Sequence, residues 1–441
     1  MDRSLPEDYR SQIRLFLEEV CCDMLRFQPL PDGSVQPGAL KITREFYLDG
    51  AENFADIHVE APGVLPYFVE VKYGYPREKL LSHLRRKYGV HSTAPKFGRR
   101  IVLVIDAEQH PDWPMIEADL RGILHPQIEL EIWNENHLRA MLHSCYGISL
   151  DVVDPQTLIE ARQEIDRFKG YYAFGGEGGL DSYSNDALRS ALLSHFGFWK
   201  LDGLRREYQL APGEICPPGT YQGVAVVMAD LCGFSSFMRD TPDDGTVRDC
   251  LTSFYSKARY QIINHDGMLY KFVGDEVIGF FGIPNSRPRF IENALDAARS
   301  LVNIGLAVAN HWQRCIDRVQ SSKGVHIGIA LGDLQMVSLR PFSRASLGAL
   351  GECINMASRL MSAARCSEIV VSNSFYRELD ESRQEQFKEI EPIEARNLGL
   401  IKAWKASCCE LSDVAAAPNG NPPVRQRRRT SKAAFEPHLP R

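Results

Sequence analysis

The chain has 441 residues, of which 44% are hydrophobic and 24% charged, and a formal net charge of −6 at pH 7. That length fits two or three domains, and that balance excludes wholesale disorder, a collagen-like repeat and a coiled-coil rod. The mild acidity argues against a broad basic face for coating nucleic acid, but not against a local basic pocket.

The first block, residues 1–165, opens with an amphipathic helix around Tyr9–Phe27. Strand-like runs follow at Asp56–Val59, Tyr67–Val71, Ile101–Ile105 and Ile128–Ile132, with helical segments between them. Strands alternating with helices predict an α/β domain, read here as a regulatory or sensor module. Residues 166–217 form a linker. It is rich in Gly (Gly175, Gly176, Gly178, Gly179) and carries a helical stretch, Asn185–Leu210. Leu188, Leu192, Phe196 and Leu204 give that stretch a one-sided apolar stripe, which suits either a connecting helix or a dimerising one. A third domain, residues 218–412, begins with the buried strand Gly223–Met228. From residue 413 the composition turns to Ala, Pro, Asn and Gly and then to Arg425, Arg427, Arg428 and Arg429, which reads as a disordered, solvated basic tail.

Eleven cysteines are scattered, two pairs being sequence neighbours (Cys21-Cys22, Cys408-Cys409), and no C-x-x-C occurs. Neither a zinc ribbon nor a disulfide framework is supported. The N-terminal MDRSLPEDYR lacks an apolar signal region, and no apolar run approaches the ~18 residues of a membrane span. The expectation is a cytoplasmic protein with free thiols and no membrane partner.

The residues that carry chemistry lie in the third domain. A strand ends in Met228-Ala-Asp-Leu-Cys-Gly-Phe-Ser-Ser-Phe237. A carboxylate such as Asp230 at the end of an apolar strand is costly unless paired or metal-bound. The turn and helix start that follow, at Gly233 and Phe234, present backbone N–H groups suited to phosphate oxygens. Next comes Tyr270-Lys-Phe-Val-Gly-Asp-Glu-Val277, which reads as a hairpin with Gly274-Asp275 at its turn. Two carboxylates from neighbouring strand ends can hold a pair of Mg²⁺ or Mn²⁺ ions, activating a hydroxyl and clamping a triphosphate. A further buried strand, Val325–Gly332, leads to Gly351-Glu-Cys-Ile-Asn-Met-Ala-Ser-Arg-Leu360. There Asn355 and Arg359, four apart, share one helix face. An amide can orient a sugar, and a guanidinium can stabilise charge developing on phosphate.

These ordered segments resemble the class III nucleotide cyclases, the adenylate and guanylate cyclase catalytic domain, over roughly residues 220–412. The resemblance implies a ferredoxin-like βαββαβ core working as a head-to-tail homodimer, within an α+β and α/β multidomain chain. It implies that Asp230, Asp275 and the Leu231 carbonyl bind two Mn²⁺ or Mg²⁺ ions per active site. It implies that Asn355 and Arg359 from the other protomer are the catalytic pair, and that Lys271 contacts the base. The reaction implied is conversion of a nucleoside triphosphate to a 3′,5′-cyclic nucleotide and pyrophosphate.

The sequence departs from the family at two places. Gly348, in Ser346-Leu-Gly-Ala-Leu-Gly351, stands where a second base-contacting side chain is expected, so half of a purine-selecting pair is missing. The late triphosphate-binding lysine is absent around Asn397-Leu-Gly399, with Arg396 as its substitute. Together with the unusual N-terminal domain, these departures resemble the bacterial pyrimidine cyclases of antiphage defence. Those make cyclic UMP or cyclic CMP as a second messenger for a separate effector protein. A plain adenylate cyclase is the alternative.

In the first block, Asp56 and then Glu70-Val-Lys72 on two successive strands resemble restriction-endonuclease-like domains. In those, carboxylates hold Mg²⁺ and the lysine stabilises charge. That resemblance keeps a metal-dependent nuclease or nucleic-acid-binding module in play, beside a solvated edge strand and a domain that keeps the fold only as a sensor.

Overall fold

Two separate sheets organise the chain. The structure, a computed structural model, describes residues 7–407 apart from 28–29, 32, 34–38, 50–52, 108–109, 111, 152–156, 159, 166–190, 210–213, 285–287, 318, 320–321, 341–342 and 396–398. The glycine-rich loop, Leu188, Arg396 and the basic tail lie outside the described residues.

The N-terminal sheet has five strands in sequence order: β1 (Lys41–Asp49), β2 (Asn53–Ala61), β3 (Val64–Val71), β4 (Arg100–Val104) and β5 (Glu129–Trp133). The first three form an antiparallel meander, and β3, β4 and β5 run parallel. Alternation along β3 sorts its side chains onto two faces. Tyr67, Val69 and Val71 pack with Leu17 and Met24 of helix α1 (Glu7–Arg26) and Leu138 of α4 (Glu135–Tyr146). Phe68 packs with Leu80 and Leu84 of α2 (Arg77–Tyr88) and Leu120 of α3 (Trp113–Ile123).

Strand β1 was not expected. Its sequence, Lys-Ile-Thr-Arg-Glu-Phe-Tyr-Leu-Asp, mixes charge into the apolar pattern. Its charged centre is nevertheless buried, because Arg44 and Glu45 face partners elsewhere in the chain. Arg44 pairs with Glu18 and lies 3.8 Å over the Tyr260 ring, and Glu45 pairs with Lys257. Gln261 and Asn264 donate to the Glu45 and Arg44 carbonyls at 2.7 and 2.8 Å. This polar seam joins the N-terminal sheet to a helix of the C-terminal domain.

The C-terminal sheet runs in the order β12-β13-β11-β9-β6-β8-β7, with β10 paired to β9. Its strands are β6 (Gly219–Leu231), β7 (Met268–Val273), β8 (Glu276–Phe281), β9 (Val325–Arg340), β10 (Ser343–Leu350), β11 (Glu368–Ser372), β12 (Lys388–Ala395) and β13 (Gly399–Ser407). Helices α5 (Phe198–Tyr208), α6 (Phe234–Asp240), α7 (Asp244–Asn264), α8 (Phe290–Ile316) and α9 (Glu352–Ala363) pack around it. The chain order β6-α7-β7-β8-α8-β9 with spatial order β9-β6-β8-β7 is the βαββαβ core expected from the sequence.

Strand β6 reads as one apolar run because both its faces are covered. Ala225, Val227 and Ala229 meet Phe254 and Ile262 of α7 and Leu295 and Leu301 of α8. Val224, Val226 and Met228 meet Leu201 and Leu204 of α5 and Ala357 and Leu360 of α9. Close approach of α9 requires Gly328, where a Cβ would lie 2.1 Å from the Ala357 carbonyl oxygen.

The linker helix departs from expectation. Among the described residues it is interrupted at Gly197, whose φ is +75°, between a helical turn at 191–196 and α5. Leu192, Phe196 and Leu204 are buried against the second face of the C-terminal sheet. The apolar stripe is therefore satisfied inside this chain, a reason periodicity alone cannot reveal.

Candidate active site

The site grows out of three strand ends. Asp230, next to last in β6, is the cross-strand partner of Glu276 in β8 and of His326 in β9. The β7–β8 hairpin closes Val273 against Glu276, and Gly274 takes φ +61°, which a glycine adopts without strain. Asp275 follows in that turn. Tyr255 of α7 stacks on Phe272 at 4.3 Å and donates its hydroxyl to the Gly274 carbonyl, holding the turn in place.

This places Asp230 and Asp275 in hydrogen-bonding contact. Desolvation, the Asp275 charge and the shared hydrogen bond push Asp230 up to about 7, with Glu276 adding to the effect. Glu276 is itself raised by burial and by Asp275, against the opposing charge of Lys271. Among the described residues, neither Asp230 nor Asp275 has a lysine or arginine ion-pair partner. Half-buried carboxylates that repel one another and lack a cation match the oxygen-donor preference of Mg²⁺ and Mn²⁺, so the residues present fit such ions. The Leu231 carbonyl lies in the next residue of the same strand end.

Gly233 is left-handed at φ +75° and begins α6, accepting the Ser236 and Phe237 N–H groups at 3.0 Å. The Phe234 ring packs edge-on against Trp312 at 5.7 Å, anchoring the turn to the core. Lys271 is exposed on β7, with its ammonium 5.0 Å from the Tyr270 ring centroid. Tyr270 was missed by sequence reasoning. It stacks on Phe280 at 4.7 Å and accepts the Ala349 N–H at 3.1 Å, which ties β10 to the residue before Lys271. Gly348, the neighbour of Ala349, lies buried opposite Val337 in that hairpin.

Asn355 and Arg359 are exposed on α9, and among the described residues neither has a hydrogen-bond or ion-pair partner. Arg359 is not among the charges that act on Asp230. A single chain thus brings the two aspartates together and leaves the asparagine and arginine on an open helix face.

A second constellation lies in the N-terminal sheet, where Asp56 on β2, Glu70 at the end of β3 and Lys72 just after it converge. Lys72 Nζ is 2.5 Å from Asp56 and 2.6 Å from Glu70. Lys87 and Tyr88 of α2, which local sequence gives no reason to choose, complete the group. Lys87 reaches Glu70 at 2.9 Å and Asp56 at 3.3 Å, and the Tyr88 hydroxyl donates to Glu70 at 2.5 Å. All five are buried, Glu70 completely. Burial works to raise Asp56, but the Lys72 and Lys87 charges outweigh it and hold the carboxyl far below its ordinary range.

Residues 216–405 match the family profile described as the adenylate and guanylate cyclase catalytic domain. An uncharacterized protein of Mycobacterium tuberculosis, Rv1319c, is 28% identical over 147 residues, covering 33% of this chain and 25% of that protein. The chain thus matches about a quarter of the length of its curated relatives. The guanylate cyclase domain of RhGC from Catenaria anguillulae in complex with GTP is 18% identical, covers 43% of this chain and 97% of that one, and has a TM-score of 0.34. The adenylyl cyclase CyaB from P. aeruginosa is 21% identical, with coverage of 42% and 94% and a TM-score of 0.35. The match supports a nucleotide cyclase catalytic domain over residues 216–405, under half of the chain. No described helix is long and apolar enough to cross a membrane.

Proposed function

We propose that this cyclase domain converts a nucleoside triphosphate, UTP or CTP in preference to ATP, into a 3′,5′-cyclic nucleotide and pyrophosphate. The observation that carries the reading is the uncompensated Asp230–Asp275 pair at the ends of β6 and the β7–β8 turn. Asp230, Asp275 and the Leu231 carbonyl would hold two Mn²⁺ or Mg²⁺ ions, which when bound supply Lewis-acid activation of the ribose hydroxyl and neutralise the triphosphate. The 3′-oxygen would attack the α-phosphorus, the bond to the bridging oxygen would break, and pyrophosphate would leave with its electrons while the hydroxyl proton passes to solvent. Gly233 and Phe234 would present backbone N–H groups to the phosphates, and Arg396 would serve the triphosphate.

Asn355 and Arg359 would act across a head-to-tail homodimer, Asn355 orienting the ribose and Arg359 meeting charge on the α-phosphate. Their exposure and lack of partners support that arrangement. Lys271 would contact the base. Gly348 supports pyrimidine use, because a glycine offers no side chain to a purine edge. The product would be a second messenger, cyclic UMP or cyclic CMP, for a separate effector in antiviral defence. Incubation with Mn²⁺ and each of the four nucleoside triphosphates tests this. The expected result is UTP or CTP turnover, absent in Asp230→Ala. ATP converted far faster than either pyrimidine would replace the reading with an adenylate cyclase.

A second reading, a metal-dependent nuclease in the N-terminal domain, is favoured by the spatial convergence of Asp56, Glu70 and Lys72. A divalent ion there would have to displace two ammonium groups already seated on the carboxylates. Plasmid cutting that requires a divalent ion and vanishes in Lys72→Ala would support it. No cutting and no DNA binding would leave the cluster a structural network.

A further inference from the structure

We propose that Cys232, His326 and Cys366 form a binding site for a thiophilic divalent cation, Zn²⁺ in the first instance, with a fourth position open to water or an external ligand. The two thiols and a ring nitrogen of His326 lie within 4.8 Å of one another. A tetrahedral zinc site with sulfur at ~2.3 Å from the metal sets two thiolates about 3.8 Å apart, so sub-ångström to ångström side-chain adjustments close the group.

Three neighbouring strands deliver these ligands to one end of the sheet. Cys232 follows β6, His326 is the second residue of β9, and Cys366 sits in the turn that enters β11. Strand β9 pairs with both of the others, so the ligands are held by ladder geometry rather than by mobile side chains alone. The backbone around them is fixed as well. The Cys232 N–H donates to the Gly324 carbonyl at 3.0 Å, and the Ser367 N–H donates to Val325 at 2.8 Å. The His326 Nδ1 lies 3.0 Å from the Ala364 carbonyl. A carbonyl only accepts, so Nδ1 carries the proton and Nε2 keeps its lone pair for a metal, the outer-sphere arrangement usual for ligating histidines.

The donor set separates this site from its neighbour. Two sulfurs and an imidazole suit Zn²⁺, whereas the Asp230–Asp275 pair offers only oxygen to hard Mg²⁺ or Mn²⁺. Both sites meet at Asp230, which is two residues before Cys232 and the cross-strand partner of His326. An ion on the sulfur site would therefore tie the β6–α6 turn to the α9–β11 turn beside the catalytic carboxylate. The site does not depend on the cyclase reading.

Co²⁺ substitution of the full chain under a phosphine reductant reads the site directly. The expected result is one thiolate-ligated equivalent per chain, with thiolate-to-cobalt charge transfer in the near ultraviolet and visible bands of a tetrahedral ion. Zn²⁺ should displace it and millimolar Mg²⁺ should not. Cys366→Ser and His326→Ala should each weaken binding at least tenfold, with folding checked by circular dichroism and Cys366→Ala as the fallback for a poorly folded variant. Asp230→Ala should leave the spectrum intact. Cys315→Ser should also leave it intact, a necessary control because exposed Cys315 lies 3.6 Å from His311. Absence of a thiolate band, its displacement by Mg²⁺, or its loss in Cys315→Ser but not in Cys366→Ser would overturn the proposal.

Discussion

The two carboxylate clusters of this chain use the same residue types to opposite ends. In the N-terminal sheet Asp56 and Glu70 are matched by Lys72 and Lys87, and Tyr88 fills a remaining acceptor site. In the cyclase domain Asp230, Asp275 and Glu276 crowd together with only Lys271 acting on Glu276. The first cluster is closed, charge-balanced and fully buried. The second is open, unbalanced and half-buried. Burial punishes both, but only the second lacks internal compensation, and that deficit is what a bound cation would relieve.

The largest expected effect is on turnover. Asp275→Ala should abolish cyclic-nucleotide formation in any triphosphate, with the circular dichroism spectrum unchanged. Arg359→Ala should lower kcat by about 10²–10³-fold, as for loss of a group that meets transition-state charge. Mixing Arg359→Ala with Asp275→Ala protomers should restore part of the activity if sites form between chains. No restoration at any ratio would place Asn355 and Arg359 outside a shared site.

Stability should move in opposite directions at the two clusters. Glu70→Ala leaves two buried ammonium groups to share Asp56, and breaking such a pair costs about 3–5 kcal/mol. Urea denaturation with an unchanged m-value reads that loss. Asp230→Asn removes like-charge repulsion and should raise Tm of the metal-free protein while eliminating turnover, the trade expected where a site holds strain for function. A Tm decrease in Asp230→Asn would mean that the pair contributes to folding rather than to cation binding.

The pH dependence has the same opposed signs. Asp230 is raised to about 7 from an ordinary 3.8, so between those values the folded state binds the extra proton. Stability from this group is greatest below the ordinary value and is lost as pH climbs through about 7. Asp56 is depressed, so its contribution is present above the ordinary carboxylate range and is lost only as pH falls well below it. Tm against pH for wild type minus Asp230→Asn, without divalent ions, should therefore fall toward alkaline pH. Mn²⁺ affinity should rise over the same interval, because the ion displaces the shared proton.

Much of the cyclase domain was legible in the sequence because its signals are local. The run Gly223–Met228 is apolar throughout since both faces of β6 are covered, and Gly274-Asp275 marks a tight turn between two alternating strands. Other features had no local sign. Strand β1 hides because Arg44 and Glu45 are satisfied by residues of α1 and α7. Lys87 and Tyr88 are ordinary helix residues until α2 is laid over β3. Cys232, His326 and Cys366 belong to no spacing motif, since strand pairing rather than chain proximity gathers them. The Leu192–Leu204 stripe is periodic in either of its two readings, and only packing against Val226 and Met268 assigns it to this chain's own core.

The smallest effect tests whether the two regions communicate. Helix α7 carries Lys257, Gln261 and Asn264 on the seam with β1, and two residues before Lys257 it carries Tyr255, whose hydroxyl holds the Gly274 carbonyl beside Asp275. Tyr255→Phe keeps the ring for stacking on Phe272 and removes only that hydrogen bond, a loss of about 0.5–1.5 kcal/mol. Tm should fall by a few degrees at most, while the Mn²⁺ concentration giving half-maximal turnover should rise severalfold, because the turn no longer fixes Asp275. Lys257→Met breaks the seam two residues further along the same helix and leaves Glu45 buried without its ammonium. If α7 transmits the state of the N-terminal domain to the carboxylate turn, the two substitutions should be non-additive in half-maximal Mn²⁺ concentration. Strict additivity would mean that the seam glues the domains together without informing the site.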